Sequence, residues 1–186
     1  MFLRILLIVC CLFSGTACLS KNPPAPVRWF MPAAGSFDLS AATQQRPLHL
    51  APVTSRTHLR EPMVWRLSPV ELFFDDQERW GARPAEIVQG VLEEALFVTG
   101  PFTYSDARDA LALTIELQAF EGVYAETDVA LCEISVVHDD GQLVRQEKFR
   151  ATIALDSREP DDLARGLGQA LHEVAMRLRE WAQTSG

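Results

Sequence analysis

Apolar residues recur at two periods along the 186-residue chain, and each change of period marks an element boundary. Leu111, Leu113, Ile115 and Leu117 alternate with Thr114 and Glu116. Ala130, Cys132, Ile134 and Val136 alternate with Leu131, Glu133 and Ser135, and Phe149, Ala151, Ile153 and Leu155 alternate with Arg150 and Thr152. A period of two with a polar side predicts three antiparallel strands burying one face. Asp139, Asp140 and Gly141 supply the positive-φ chemistry of a hairpin turn between the second and third.

The first half carries shorter signals. Residues 29–31 (Trp, Phe, Met) predict a first strand, and residues 32–46, rich in Ala, Ser, Gly and Gln, predict a loop. Leu48, Leu50 and Val53 suggest a strand interrupted by Pro52. Met63, Trp65 and Leu67 alternate with Val64, Arg66 and Ser68, and a short extended piece over 70–74 follows Pro69.

Two segments change to the helical period. Pro84 suits a first helical turn, Val88, Val91, Leu92 and Ala95 share one face, and Gly100 followed by Pro101 ends the helix. Pro160, Asp161 and Asp162 open a second helix whose stripe is Leu163, Leu167, Leu171, Val174, Leu178 and Trp181. Each stripe needs another layer to cover it. The expected fold is therefore α+β, a largely antiparallel sheet with two main helices packed on one face, forming one domain over residues 28–186.

Ahead of that domain lies an export signal. Arg4 precedes nine apolar residues at 5–13, and Ser14, Gly15, Thr16 and Ala17 lead to Cys18. Nine residues are too few to span a bilayer that needs about 20. Cleavage after Ala17 by an ordinary signal peptidase fits the small residues, but a cysteine at the next position resembles the bacterial lipobox, with Gly15 where Leu is usual. The resemblance implies a signal peptide over 1–17 and an acylated Cys18, carrying fatty chains such as palmitate, as the first mature residue. Residues 18–27 then form a tether containing Pro23, Pro24 and Pro26. Leu19 after the cysteine, where Asp would retain a lipoprotein at the inner membrane in enteric bacteria, implies the periplasmic face of the outer membrane, with the inner membrane as the alternative.

Cysteine usage agrees. Cys10 and Cys11 leave with the signal and Cys18 is blocked by lipid, so Cys132 alone remains, a small core residue in an alternating run. Processing removes Arg4 and no acid, which moves the net charge from −8 to −9. An acidic chain without a basic run is a poor partner for nucleic acid or for polybasic attachment to anionic lipid.

No catalytic constellation emerges. His172 and Glu173 resemble the start of a zinc-protease motif, but the second His is replaced by Met176. His49, His58 and His138 are scattered and read as solvated or hydrogen-bonded side chains, and Glu71, Asp75, Asp76 and Glu78 as solvated acids of a loop before a helix. Ser36 and Ser105 lack a nucleophile elbow, and no glycine-rich phosphate loop is present. The expectation is a non-enzymatic protein with no cofactor and no metal.

Residues 48–100 carry a family resemblance. Arg60 and Pro62 form an Arg-x-Pro step, Arg66 lies on the next strand, and Arg79 with Trp80 precedes the helix from Pro84. Downstream come a strand ending in Ala119, Phe120 and Glu121, two further strands and a terminal helix. This order resembles the ABC-type transport auxiliary lipoprotein family, which includes the paraquat-inducible lipoprotein C. Trp29 and Phe30 stand where that family is usually rich in Tyr. The resemblance implies a periplasm-facing lipoprotein serving an ABC or MCE-type intermembrane transporter of lipids or hydrophobic solutes. Its partners would be an MCE-domain protein or the transporter permease, with self-association as a homo-oligomer left open. Arg79 and Trp80 have two readings, packing at the core edge and contact with a partner. A structural or assembly lipoprotein of an outer-membrane complex is the alternative function, and a periplasmic enzyme a third.

Overall fold

The computed structural model describes residues 25–38, 46–107, 110–139 and 143–184. The proposed cleavage point, Cys18 and positions 140 and 141 of the hairpin turn lie outside them. The strands are β1 (Arg28–Phe30), β2 (Arg46–Leu50), β3 (Thr54–Ser55), β4 (Pro62–Ser68), β5 (Glu71–Trp80), β6 (Phe102–Tyr104), β7 (Leu111–Val123), β8 (Val129–Asp139) and β9 (Val144–Ala154). The helices are α1 (Pro84–Glu93), continued by a π turn over Glu94–Val98, and α2 (Pro160–Thr184).

The long strand β7 organises the sheet. β8 pairs antiparallel along one of its edges, and β9 pairs antiparallel with β8. Its other edge is shared end to end by three parallel neighbours: β2 beside Leu111 to Leu113, β3 beside Glu116 and Leu117, and β4 beside Gly122 and Val123. β6 extends the sheet beyond β2 in parallel, while β5 folds back antiparallel on β4 and takes β1 in parallel at its far end. The α+β class is as expected. The sheet is mixed rather than simply antiparallel, because short strands dock in parallel onto one long one.

Both helices cover one face. The apolar stripe of α2 packs on β7, β8 and β9, and α1 packs on β7 and α2. Leu163, Leu167, Leu171, Val174 and Leu178 are all fully buried, as their spacing predicts, whereas Trp181 is half-buried. α2 also buries Gly166, Gly168 and Ala170, a wider face than the stripe alone. Gly166 faces Ala130 of β8 and Leu155 just after β9, whereas Gly168 is covered by residues 32–38, expected as a loop, which lie along the helix as a strap. A Cβ on Gly168 would stand 2.3 Å from the Ala33 carbonyl oxygen, and Phe37 stacks on His172 with ring centroids 4.5 Å apart.

Capping follows the sequence. At α1 the Arg83 backbone N–H donates to Glu86 Oε2 at 3.2 Å, with Pro84 in the first turn where no N–H is needed.

Trp65 and Gly122 are neighbours in the β4–β7 ladder, and a Cβ on Gly122 would lie 2.3 Å from the Trp65 ring. Trp65 is 6% exposed and has little room to yield. Gly122→Ala should therefore destabilise by about 1–3 kcal/mol through overpacking. Urea unfolding measures this directly; an unchanged midpoint would mean the indole is free to move.

Candidate functional site

The sheet face without helices holds the site, and a β-bulge creates it. Leu117 pairs with Ile134 while Ala119 pairs with Glu133, so Gln118 is an extra residue in β7. The bulge reverses which residues face the helices. Before it, Leu113, Ile115 and Leu117 fill the core; after it, Phe120 does, and Ala119, Glu121 and Val123 turn to the helix-free face.

Glu121 is nonetheless fully buried. Arg66 of β4 lies against it, Nε donating to Oε1 at 2.5 Å and an Nη to Oε2 at 3.2 Å. The two-point fork is the geometry in which a guanidinium best offsets a carboxylate's lost hydration. His58 Nε2 stands 3.8 Å from Oε2, and Arg56 Nε donates to Gln118 Oε1 at 2.7 Å. The loop between β3 and β4 thus supplies a second row of polar groups over the bulge.

A cavity of about 570 Å³ opens beside this pair. Val123, Leu131 and Ala119 give it an apolar floor, and Arg56, Lys148 and Arg150 a cationic rim. Arg150 is partly engaged, its Nε lying 4.0 Å from Glu133. Glu121, committed to Arg66, serves as a structural counter-ion. The rim and floor suit a molecule with a carboxylate or phosphate at one end and an apolar remainder.

Burial holds the His58 imidazole below its ordinary 6.5, and Arg66 and Arg56 add to the effect while Glu121 opposes it. A histidine depressed in the folded state stabilises the fold above its unfolded value, and that contribution is lost as pH falls below about 6.5. His58→Gln should flatten the pH dependence of stability just below 6.5. Identical slopes for both proteins would show that the ring titrates freely.

The residues singled out by sequence fall in separate places. Trp80 is 1% exposed and packs on Phe120 with ring centroids 5.3 Å apart. Its indole is therefore a core group, and any partner contact at this step belongs to Arg79, half-buried between Trp29 of β1 and Pro62 of β4. Asp75, Asp76 and Glu78 lie on β5 rather than in a loop, and Asp75 Oδ1 accepts the backbone N–H of Gln77 and Glu78 at 2.8 and 2.9 Å. His138 differs from expectation: it is fully buried, edge-on to Trp181 at 5.7 Å, and neither ring nitrogen has a hydrogen-bond partner among the described residues. His172, expected on an open helix surface, lies under the strap. His49 Nδ1 is 3.0 Å from Asp106 Oδ1. Cys132 is buried, which pushes its thiol up to about 12. In the sequence the Arg66–Glu121 pair is marked as a site by nothing more than the break in alternation at Ala119 and Phe120.

A family model described as ABC-type transport auxiliary lipoprotein component matches residues 32–178. The chain belongs to that family. A crystal structure of a Xanthomonas campestris protein assigned to the family DUF330 is similar at TM-score 0.74 and 20% identity, covering 86% of this chain and 96% of that one. Another, of an uncharacterized protein, gives 0.62 at 12% identity over 82% and 100%. A hypothetical protein of Chlamydia trachomatis gives 0.50 at 9% identity over 75% and 99%. These likenesses concern the fold. No curated protein matches the sequence. As a member of the family, the chain is an auxiliary lipoprotein component of an ABC-type transport system. Among the described residues no helix is long and apolar enough to cross a membrane.

Proposed function

We propose that the protein is exported, cut before Cys18, acylated on that cysteine, and held at the periplasmic face of the outer membrane. There it serves an MCE-type ABC system that moves lipids or hydrophobic solutes between membranes. It works by binding and catalyses no reaction. The family match over residues 32–178 carries this reading. The small residues before Cys18 support the anchor, and the cavity with an apolar floor and cationic rim suits a lipid-like cargo or a partner's apolar segment.

A tether of nine residues, 19–27, reaches at most about 30 Å. The part that spans the periplasm is therefore a partner. Affinity purification from crosslinked membranes through a C-terminal tag should recover an MCE-domain protein or its permease. Arg79→Ala that still folds should lose that recovery if the contact lies at the end of β5. Recovery of an outer-membrane barrel alone, or turnover of a substrate by the purified protein, would overturn the reading.

A further inference from the structure

We infer that the tip of the β4–β5 hairpin, with Val70 at its apex and Phe73 and Phe74 behind it, rests on the lipid surface that holds the acylated Cys18. The inference depends on the anchored reading above and adds an orientation to it.

Strand pairing fixes the direction from which the tether arrives. β1 runs parallel to β5, Arg28 beside Glu78 and Phe30 beside Trp80. The chain upstream of Arg28 therefore comes from the end at which β5 begins, directly after the turn bearing Val70. Arg28 also bonds Asp161 in the first turn of α2 at 3.2 Å, so the start of β1 and the start of that helix sit together.

Chain length sets an upper limit on the distance. Ten residues lead from Cys18 to Arg28 and span at most ~35 Å in any conformation. Eight lead back from Glu78 to Val70, a strand length of at most ~27 Å. The two lengths nearly cancel. Even at full stretch a lipid-embedded Cys18 could therefore reach no more than roughly 10 Å beyond the hairpin tip along the strand direction, so an anchored domain has to bring this end toward the surface.

The tip has the chemistry for that position. Val70 is 95% exposed, Phe73 47% and Phe74 41%. Phe73 pairs with Trp65 and Phe74 with Val64, so their rings lie on opposite faces of the hairpin and flank its apex. An apolar apex backed by two rings suits the boundary between headgroups and acyl chains, where interfacial segments bury apolar side chains to about 5–10 Å. Charge excludes an electrostatic attachment: the chain is acidic overall and Glu71 is exposed beside Val70. The surface it fits is one rich in zwitterionic headgroups, such as phosphatidylethanolamine.

Spin labelling of the full-length lipoprotein tests this. Cys132 is buried, and in the processed protein Cys18 is blocked, so Val70→Cys gives a single labelled site, as does Val144→Cys at the opposite end of the sheet, where Val144 is 64% exposed. The protein is reconstituted into vesicles of phosphatidylethanolamine with a minor fraction of phosphatidylglycerol. The label at 70 should collide several-fold less with an aqueous nickel chelate, and more with oxygen, than the label at 144. Equal aqueous access at both sites in protein that floats with the vesicles would overturn the orientation and leave the anchor standing. Protein that fails to float, with Cys18 itself labelled, would overturn both.

Discussion

Leu171→Asp is expected to leave the protein unfolded at room temperature. Leu171 is fully buried at the middle of α2, between Leu167 and Val174 on the face pressed against β7, β8 and β9. The substitution removes a packed side chain, costing about 2–5 kcal/mol, and adds a carboxylate with no partner, costing several more. A domain of this size has a total stability of roughly 5–15 kcal/mol, so the sum reaches or exceeds it. Glu173→Ala, two residues along, is the matched contrast. Glu173 is about half exposed and bonds Arg177 at 3.2 Å one turn on, an exposed pair contributing about 0.5 kcal/mol or less. Circular dichroism and urea titration of the two variants should give lost cooperativity in the first and a near-native midpoint in the second. Reversed sensitivities would mean that α2 presents its other face to the sheet.

The reason α2 could be read in advance is that its pattern is local and repeated. Six residues over about five turns carry the stripe, and no single long-range contact decides it. The same holds for β7 up to Leu117 and for β8, whose alternating residues continue to His138 on the core side. That continuation was the available signal for His138: the parity of Ala130, Cys132, Ile134 and Val136 places it inside, against the general habit of histidine to stay hydrated. The sequence predicts β5 too short for the opposite reason. Asp75 to Glu78 look like a solvated loop, yet they lie on an outlying strand whose only partner beyond β4 among the described residues is the three-residue β1, and an edge strand tolerates charge that a central one does not. The parallel docking of β2, β3 and β4 onto one edge of β7 depends on contacts between segments far apart in sequence, which periodicity does not encode.

The candidate site was hidden by a single residue. If the alternation of Leu113, Ile115 and Leu117 ran on, positions 119, 121 and 123 would enter the core, and Glu121 would be a charge among leucines. Gln118 absorbs one position, Phe120 takes the core place, and Glu121 emerges beneath Arg66 on the far face. A large apolar residue arriving one step out of phase, next to an acid arriving where an apolar residue is due, is the physical signature of such a bulge. The proposed lipid anchor is an expectation of another kind, since it rests on the linear order of charge, apolar run, small residues and cysteine and on no element of the fold.

Arg66→Met is expected to destabilise more than Glu121→Leu, and the two together less than Arg66→Met alone. Glu121 is fully buried whereas the Arg66 side chain is 28% exposed beside the cavity, so the two charges are unequally placed to recover water. Removing Arg66 leaves a fully buried carboxylate without its counter-ion, at about 3–5 kcal/mol. Removing Glu121 leaves a guanidinium on a long stem that can turn its head toward the cavity, and the cost falls to roughly 1–2 kcal/mol. In the double variant neither charge is buried, and two apolar side chains of similar volume fill the space, returning stability to within about 1 kcal/mol of the parent or above it. A double-mutant cycle in urea reads these terms; an Arg66→Met cost no larger than that of Glu121→Leu would sink the account, since it would mean Glu121 is hydrated after all. The double variant also separates stability from function. It keeps the fold while erasing the charge pattern beside Arg56, Lys148 and Arg150. If it still co-purifies with the transport partner, the pair serves to hold β4 on β7; if it folds and loses the partner, the helix-free face is where the auxiliary component does its binding.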